Sequence, residues 1–413
     1  MTATARRTLS DMQQSMLAHE AFEDRPLYNM PLYFRIDGAL DADALASALA
    51  HVVGRHPVLH CLYEGAEATP AVPAGAALLR GTATSAAEAA AVVARAWEDP
   101  LDVRTSTPVR ARLVSVSSEE HHLGLGVHHV AGDSWSLVLL LRELATAYNR
   151  LVGGREPDTA PAAPDFFDHA EREQRETWDT TWWSRQLSDV PPRPHPRTDP
   201  PGDEDRCRVI PVPLALDAAD TRGVRELARA VRVSPASVLL TAVSLGTAAE
   251  EPGGENVIGL PAALRDTQAL QEVMGPLLNT LPIRATWRPQ APVDTLVRAH
   301  HDAVQDALAH KEVPYSRILR GAGGRRRPGT TPLFLHVVNV DNELPRLKLR
   351  GARSTWIPIE PKWAIFPAHW EFSWGAVGNI QGVLRASADA FDAGQAAQCA
   401  SAFRSALSRL LRP

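Results

Sequence analysis

Two observations in the sequence predict an α+β fold in two lobes. Alternation typical of strands and the helical repeat of about 3.6 residues occur in both halves of the 413-residue chain. Between the halves lies a charged, proline-rich stretch, residues 190–206, which can continue neither a helix nor a central strand. We therefore predict an N-terminal lobe of residues 1–189, a linker of residues 190–206 and a C-terminal lobe of residues 207–413.

The first helix that the pattern predicts covers residues 41–54. Its apolar side chains fall at positions i, i+4, i+7 and i+8, which is one helical face. They are Leu45, Leu49, Val52 and Val53. Gly54 and Pro57 then mark the end of this helix.

A hairpin followed by a helix is predicted later in the N-terminal half. Residues 109–115 alternate between apolar and polar side chains, and residues 122–128 run back in the same pattern after a polar turn at residues 117–120. Apolar residues from Leu137 to Leu151 then recur at helical spacing and end at Gly153. The predicted order is strand, turn, strand, short loop and helix.

The C-terminal half shows the same mixture of patterns. Ser234 is a good N-cap residue and Pro235 suits the first helical turn, so an apolar helix is predicted behind them. A glycine-rich break at residues 251–254 leads to a strand at residues 257–261. The last predicted element is a closing helix within residues 389–411.

Composition and charge exclude several classes of function. The chain is 45% hydrophobic and 22% charged, carries a net charge of −5 and has no basic block suited to nucleic acid. No run approaches the roughly 18 apolar residues of a membrane span, and the N-terminus lacks an apolar signal segment. We therefore expect a cytoplasmic protein that binds neither nucleic acid nor a membrane.

The strongest candidate for chemistry is the loop between the hairpin and its following helix. It reads His128-His129-Val130-Ala131-Gly132-Asp133-Ser134. Catalytic side chains concentrate in loops at strand ends, because a rigid scaffold holds them there. A histidine can accept a proton near neutral pH, since its unperturbed pKa is about 6.5. His129 is therefore the candidate catalytic residue.

Structural roles explain parts of the same loop equally well. His128 continues the alternating strand and fits a buried, hydrogen-bonded histidine, while Asp133 stands where the next helix needs an N-cap. The pairs His121-His122 and His128-His129 contain metal-ligand types, but adjacent strand residues point to opposite faces and no fixed carboxylate supplies a third ligand. With three widely spaced cysteines and no nucleotide-binding glycine loop, we expect no metal and no bound cofactor.

The histidine loop resembles the HHxxxDG signature of the condensation-domain superfamily of nonribosomal peptide synthesis, through His128-His129-x-x-x-Asp133. Further stretches resemble other motifs of that family in the same order, and together they span essentially the whole chain. They are Leu9-Ser10-x-x-Gln13, Arg55-His56-Pro57-x-Leu59, Ile258-Gly259-x-Pro261-x-x-x-Arg265, Gly275-x-x-x-Asn279-Thr280-Leu281-Pro282-Ile283-Arg284, Val313-Pro314-Tyr315 and Pro332-Leu333-Phe334.

The resemblance implies the fold of chloramphenicol acetyltransferase, with two similar α+β lobes in a V-shaped pseudo-dimer and the active site between them. It implies that His129, next to His128, is the catalytic or positioning histidine, and that Asp133 pairs with Arg265 to support the site. Gly132 would lie where the acceptor nitrogen or a backbone amide approaches. The donor would arrive on the phosphopantetheine arm of an acyl or peptidyl carrier protein.

The chain departs from the family pattern at several positions. Ser134 replaces the last glycine of the signature and adds a hydroxyl close to the site, which favours an altered acceptor preference. Pro57 and His60 replace a glutamate and an arginine of the second motif, and Leu335 replaces a common glutamine. Neither the DxxxxD motif of heterocyclisation domains nor the glutamate-bearing motif of epimerisation domains has a counterpart, so both reactions are disfavoured.

The leading hypothesis is a free-standing, monomeric condensation enzyme of natural-product biosynthesis. It would transfer a carrier-bound acyl, aminoacyl or peptidyl group to an amine of a small-molecule or carrier-bound acceptor. One alternative is an ester-forming acyltransferase, and another is an inactive condensation-like domain that recruits partner enzymes. The run Arg325-Arg326-Arg327 fits either a contact with an acidic carrier protein or a solvated loop.

Overall fold

The chain forms two compact units of mixed helix and strand. The computed structural model describes residues 6–71, 78–97, 101–157, 164–199, 201–248, 256–285, 291–323, 329–341, 347–375 and 378–412. Unit one comprises Met1–Thr177, Arg265–Leu277 and Leu344–Pro361, and unit two comprises Trp178–Leu264, Leu278–Glu343 and Lys362–Pro413. The predicted glycine-rich break at 251–254 and the arginine run at 325–327 lie outside the described residues.

The bounds of the two units differ from those of the predicted lobes. The chain enters unit two at Trp178, ahead of the proline-rich stretch, and it returns to unit one with residues 265–277 and 344–361. The physical reason is that these returning segments find their partners in unit one, where residues 352–356 pair with a strand. The division into lobes at residues 190–206 stays a prediction of the sequence.

Unit one contains two sheets and the helices around them. Its helices are α1 (Asp11–Glu23), α2 (Ala42–Arg55), α3 (Ala86–Arg95), α4 (Ser134–Val152), α5 (Phe166–Arg175) and α9 (Gln268–Gln271). Its strands are β1 (Arg7–Thr8), β2 (Asn29–Gly38), β3 (Cys61–Glu64), β4 (Glu67–Pro70), β5 (Leu78–Thr82), β6 (Val109–Ser115), β7 (Glu120–His128) and β14 (Ala352–Trp356). Short 3-10 turns lie at Pro57–Leu59 and His129–Ala131.

The larger sheet of unit one places the histidine loop at the end of its middle strand. The strand order is β14-β2-β7-β6-β5, and β1-β4-β3 form a second, three-stranded sheet. Strands β6 and β7 are the predicted hairpin, paired antiparallel from Val109 with Val127 to Ser115 with His121. Strand β7 has partners on both sides, and its last residue, His128, pairs with Asn29 of β2 on one side and donates its N–H to the Pro108 carbonyl at 2.8 Å on the other.

Two glycines of β7 accommodate a tryptophan on one face of this sheet. A Cβ atom at Gly126 would lie 2.4 Å from Cη2 of Trp97, and one at Gly124 would lie 2.8 Å from Cγ1 of Val93. Both distances are shorter than a carbon contact allows. The glycines are therefore needed for close packing of this face.

Unit two is built around one six-stranded sheet. Its helices are α6 (Thr181–Gln186), α7 (Ala218–Val231), α8 (Pro235–Thr247), α10 (Val293–Leu308), α11 (Tyr315–Gly321) and α12 (Ala393–Leu410). Its strands are β8 (Arg193–Pro194), β9 (Val209–Leu214), β10 (Asn256–Ala263), β11 (Leu278–Ala285), β12 (Thr330–Thr331), β13 (His336–Asp341), β15 (Ala368–Trp374) and β16 (Ile380–Ser387), with a 3-10 turn at Asp203–Asp205. The order is β11-β10-β13-β15-β16-β9, and the small β8-β12 pair involves the proline-rich stretch.

Aromatic side chains fill the core between this sheet and its helices. Trp370 and Phe372 of β15 are buried and both contact Phe403 of α12, with ring centroids 5.4 and 5.5 Å apart. Burial of one such side chain stabilises a fold by about 1.5–3 kcal/mol. Strand β13 is parallel to both of its neighbours, whereas the remaining pairs in this sheet are antiparallel.

The predicted elements are found, with one error at a helix end. Helix α2 begins after its Asp41 N-cap, but it continues through Gly54 to Arg55, so the stop predicted at Gly54 is wrong. The helix ends where Pro57 prevents a further turn. The predicted N-caps Ser234 and Asp133 are both confirmed.

Helices α7 and α8 follow β9 as two consecutive helices of unit two. Asp217 and Asp220 form a capping box that begins α7, and Ser234 with Pro235 begins α8.

Among the described residues, no single helix has both the length and the apolar composition to cross a membrane, whereas α7 and α8, bent by 106° at their junction, pass that test as a pair.

Candidate functional site

The histidine loop connects the end of β7 to the start of α4, all within unit one. His128 is the last residue of β7, and residues 129–131 form one 3-10 turn. Asp133 follows as the N-cap of α4, with Oδ1 accepting the N–H of Ser136 at 2.8 Å. Strand, turn and helix therefore meet within six residues, which fixes the backbone around His129.

His128 is fully buried and both nitrogens of its ring are engaged. Nδ1 accepts the backbone N–H of Val130 at 3.1 Å, and Nε2 lies 2.8 Å from Oε2 of Glu20. An acceptor at Nδ1 requires the ring proton to be on Nε2, where it is donated to the carboxylate. The structural role suggested for this histidine is thus found, and the ring has no lone pair left for a metal.

His129 is partly exposed to solvent, whereas the neighbouring His128 is buried. Its backbone N–H donates to the carbonyl of Tyr28 at 2.7 Å, and its ring lies edge-on to that tyrosine ring with centroids 6.2 Å apart. The residue is partly exposed, while Nδ1 is buried with no hydrogen-bond partner among the described residues. Burial lowers the pKa of His129 below its usual range, and the Asp133 carboxylate partly offsets that effect.

The predicted contact between Asp133 and Arg265 is present. Nη2 of Arg265 lies 2.9 Å from both carboxylate oxygens of Asp133, and the side chains of Arg265 and Asp133 are 4% and 9% exposed. Nη1 of Arg265 donates to the carbonyls of Leu270 and Val273 at 2.8 and 2.7 Å. The guanidinium therefore joins the start of α4 to the segment around α9.

Ser136 and Gly275 complete this polar cluster. The Ser136 hydroxyl lies 2.8 Å from Oδ1 of Asp133 and accepts the N–H of Gly275 at 3.1 Å. The Gly275 carbonyl accepts from Nη2 of Arg265 at 2.9 Å. Gly275 has φ of +150°, and a Cβ atom there would lie 2.2 Å from the ring of Phe166, so glycine is required at this position.

Gly132 and Ser134 flank Asp133 in different environments. Gly132 is extended, with φ of −175°, and a Cβ atom there would come within 3.0 Å of Cβ of Ser136. The constraint at Gly132 is therefore space and not backbone conformation. Ser134 is exposed at the first position of α4, and its effect on acceptor preference stays a prediction.

The Leu9-Ser10-x-x-Gln13 motif, at the start of α1, supports the histidine loop. Ser10 and Gln13 form a capping box that begins α1. The buried Gln13 side chain also donates through Nε2 to the carbonyl of Val130 at 2.7 Å. One residue thus connects the start of a helix to the 3-10 turn that carries His129.

The second motif supports α4 at its middle. Nε2 of His56 lies 3.0 Å from Oε2 of Glu143, and Nε of Arg55 lies 3.4 Å from the same oxygen. Burial raises the pKa of Glu143, but the hydrogen bond and charge of His56 and the nearby arginines outweigh it, so that pKa is lowered. The motif therefore anchors the end of α2 on α4.

Apart from Arg265 and Gly275, which lie in unit one, the motif residues of the C-terminal half lie in unit two, and several of them contact each other there. Asn279 of β11 donates to the carbonyls of Lys311 and Val313 at 2.8 and 2.7 Å, and its Oδ1 accepts the N–H of Tyr315 at 3.0 Å. A Cβ atom at Gly259 would lie 2.6 Å from the Phe334 ring. These residues organise the scaffold of unit two.

Sequence reasoning missed Glu20, Ser136, Glu143 and the tyrosine beside the loop. Each lies far along the chain from its partner, except Ser136, whose spacing of three residues from an N-cap aspartate is a detectable signal. No local pattern pairs Glu20 with His128, which are 108 residues apart. The arrangement presents one partly exposed histidine beside a network of buried, hydrogen-bonded side chains, which suits proton transfer or substrate positioning.

A model of the condensation domain matches residues 5–410. A probable nonribosomal peptide synthetase of Salinispora arenicola is 30% identical over 74% of this chain, and an isonitrile lipopeptide synthase of Mycobacterium tuberculosis is 27% identical over 89%. The chain spans only 4% and 16% of the lengths of these two relatives.

Solved structures show the same fold. The X-domain from teicoplanin biosynthesis aligns with a TM-score of 0.86 at 23% identity, covering 100% of this chain and 97% of that one. The same domain in complex with OxyB gives 0.85 at 23% identity, covering 100% and 94%. The first condensation domain of the calcium-dependent antibiotic synthetase, with a substrate analogue, gives 0.79 at 20% identity, covering 99% and 97%. The predicted two-lobed α+β fold is thereby confirmed.

Proposed function

The chain belongs to the condensation-domain family, and from that premise we propose that it transfers an acyl, aminoacyl or peptidyl group from a carrier-protein thioester to an amine. The donor would be presented on a phosphopantetheine arm, and the product would be an amide of natural-product biosynthesis. His129 is the residue proposed to act on the acceptor. His128, Asp133 and Arg265 hold the loop, and Gly132 leaves room beside it.

The observation that carries this proposal is the contrast between the two adjacent histidines. His128 is buried with both ring nitrogens engaged by Val130 and Glu20, whereas His129 is partly exposed. A purely structural role would not require a partly exposed imidazole next to a buried, fully hydrogen-bonded one. Because burial lowers the pKa of His129, its ring stays neutral and can accept a proton at neutral pH.

The proton and bond changes balance without a further reactant. The acceptor nitrogen attacks the thioester carbon, a C–N bond forms and the C–S bond breaks. The proton that leaves the nitrogen passes to Nε2 of His129 and from there to the departing thiolate. An α-amino group has a pKa of about 7.7–8.0, so for an amine His129 contributes positioning as well as proton transfer.

A hydroxyl acceptor would need more from the same residue. An alcohol is far less acidic than an ammonium group, so general-base assistance, often about 10²–10⁴-fold, would dominate the rate. The ester-forming alternative therefore predicts a stronger dependence on His129 than the amide-forming reaction does.

Mass spectrometry of product formation tests the proposal. Pantetheine and carrier-bound acyl thioesters are mixed with competing amine and alcohol acceptors, using the native protein, His129→Ala and His51→Ala. His51 lies on α2, outside the histidine loop, so its variant is the matched control. Amide that forms with native protein and His51→Ala, and is lost with His129→Ala, supports the proposal, whereas ester as the main product supports the alternative.

A recruitment role is the second candidate, and one observation favours it. The fold aligns with that of the X-domain, a protein solved in complex with OxyB. If no donor and acceptor combination gives product while the protein binds a second biosynthetic enzyme in a defined ratio, measured by light scattering, recruitment replaces catalysis. If the native protein forms product and His129→Ala forms it equally well, this residue is dispensable for the chemistry.

A further inference from the structure

We infer that Glu20 is a positioning residue for His129, acting through the residues on both sides of it. This inference rests on the proposed function for its catalytic consequence, although its structural part can be measured without activity. Glu20 lies on α1, more than a hundred residues from the histidine loop in sequence. Its carboxylate contacts the loop on one side and the segment leading into β2 on the other.

The first contact determines which nitrogen of His128 carries the proton. Oε2 of Glu20 lies 2.8 Å from Nε2 of His128, and an ionised carboxylate only accepts hydrogen bonds. The proton of the neutral imidazole therefore sits on Nε2, which leaves Nδ1 as an acceptor. The N–H of Val130 donates to that Nδ1 at 3.1 Å and so closes the 3-10 turn that contains His129.

The second contact holds the backbone that His129 itself uses. Oε1 of Glu20 accepts the N–H of Tyr28 at 3.4 Å, and the Tyr28 carbonyl accepts the N–H of His129 at 2.7 Å. The Tyr28 ring then lies edge-on to the His129 ring. One carboxylate thus reaches His129 by two short paths, through His128 and through Tyr28.

Helix α1 delivers this contact together with a second one. Gln13 and Glu20 are seven residues apart, which places them on the same helical face. Gln13 donates to the carbonyl of Val130, whereas Glu20 controls the acceptor of the Val130 N–H. Both backbone groups of Val130 therefore depend on one face of α1.

Loss of the carboxylate has a specific expected consequence. Without Glu20, His128 can also place its proton on Nδ1, and that N–H would face the N–H of Val130. Two donors cannot satisfy each other, so the turn rearranges and His129 moves from its position. Because catalysis depends on sub-ångström placement of reacting groups, kcat should fall more than KM rises.

Nuclear magnetic resonance of ¹⁵N-histidine-labelled protein tests the structural part. The variants are Glu20→Gln, which keeps an acceptor oxygen, and Glu20→Ala, which removes it, with His128→Asn used to assign the ring signals. We expect native protein and Glu20→Gln to carry the His128 proton on Nε2, and Glu20→Ala to lose that single tautomer. An unchanged His128 ring in Glu20→Ala overturns the inference.

Steady-state kinetics with an active thioester and amine pair tests the catalytic part. Loss of the group that orients a metal-bound histidine costs about 10- to 100-fold in affinity or activity, and by analogy we expect a loss of that order in kcat for Glu20→Ala. Glu171→Ala is the control, because Glu171 lies on α5, outside the histidine loop, where it pairs with Arg175 at 3.0 Å. The Glu20→Gln variant should recover most of kcat.

A double-mutant cycle separates positioning from general stabilisation of α1. If Glu20 acts partly through His128, then Glu20→Ala should cost less activity in a His128→Asn background than in the native protein, and the remaining loss is the part that passes through Tyr28. Fully additive losses would overturn the inference, since they would mean that Glu20 does not act through His128. If native protein makes no product, the proposed function fails, and the ring-proton measurement still decides whether Glu20 sets the state of His128.

Discussion

Nη2 of Arg265 lies 2.9 Å from both carboxylate oxygens of Asp133, and this buried contact joins two segments more than 130 residues apart. Asp133 uses the same carboxylate to cap α4. A single side chain therefore caps the N-terminus of α4 and also binds Arg265, next to α9. The functional and structural roles considered for Asp133 are compatible.

Breaking this pair should destabilise the protein strongly. The Asp133→Asn variant removes the charge while keeping a side-chain oxygen that can cap α4. A buried guanidinium left without its partner costs about 3–5 kcal/mol, and we expect a loss of that size in the free energy of unfolding in urea. Glu272→Gln is the control, because Glu272 pairs with Arg142 between the same two segments with side chains 48% and 51% exposed. That exposed pair should contribute about 0–1 kcal/mol, and equal losses in both variants would contradict the prediction.

Alanine at two glycines should change stability in opposite directions. At Gly275 it would place Cβ 2.2 Å from Phe166 with φ of +150°, and we expect a loss of about 2–5 kcal/mol. At Gly54, within α2, a Cβ atom meets nothing within 4 Å, and alanine should stabilise the helix by about 0.5–1 kcal/mol. Thermal unfolding of the two variants measures both effects. A destabilised Gly54→Ala protein would show that an unexpected contact limits this position.

The rate of acyl transfer should persist below the usual titration range of histidine. Burial lowers the pKa of His129, partly offset by the Asp133 carboxylate, so the neutral base is present at pH values above that lowered pKa. We therefore expect kcat to stay near its neutral value as pH falls through about 6.5 and to decline only below it. A pH–rate profile between pH 5 and 8 with saturating donor measures this, once each rate is divided by the unprotonated fraction of the amine acceptor, whose own pKa is about 7.7–8.0. An inflection at or above 6.5 would mean that another group, or a different environment of His129, controls the rate.

Stability should fall in acid partly because of His336. Burial and the nearby Arg193 charge lower the pKa of this histidine to about 3, so it is neutral in the folded protein. The unfolded chain takes up a proton below about 6.5, and the contribution of His336 to stability is therefore lost as pH falls from that value toward 3. The His336→Gln variant does not titrate in this range and keeps an acceptor for Nε1 of Trp370, which donates to Nδ1 of His336 at 3.2 Å. Urea unfolding between pH 7 and 4 should show a shallower pH dependence for this variant, and an unchanged slope would contradict the assignment.

Local chemistry was sufficient to predict much of the scaffold and of the loop. The β6–β7 hairpin, the α4 stripe and the Asp133 and Ser234 caps depend on residues a few positions apart, which is the range over which strand alternation and helix capping act. The Asp133–Arg265 contact came from resemblance to a family, because no pattern within the chain relates two residues so far apart. The end of α2 was misplaced by one residue, since a glycine is tolerated within the last turn.

Tertiary structure decided which partners make the two adjacent histidines different. The sequence already favoured a buried structural role for His128 and a chemical role for His129, but only the fold shows that Glu20 and Val130 occupy both nitrogens of the first, while the second stays partly exposed beside Tyr28. The need for glycine at position 275 is likewise visible only where Phe166 packs against it. Such contacts form where segments that are far apart in the chain pack closely, and each distance depends on the whole fold. Short-range sequence patterns therefore cannot predict them.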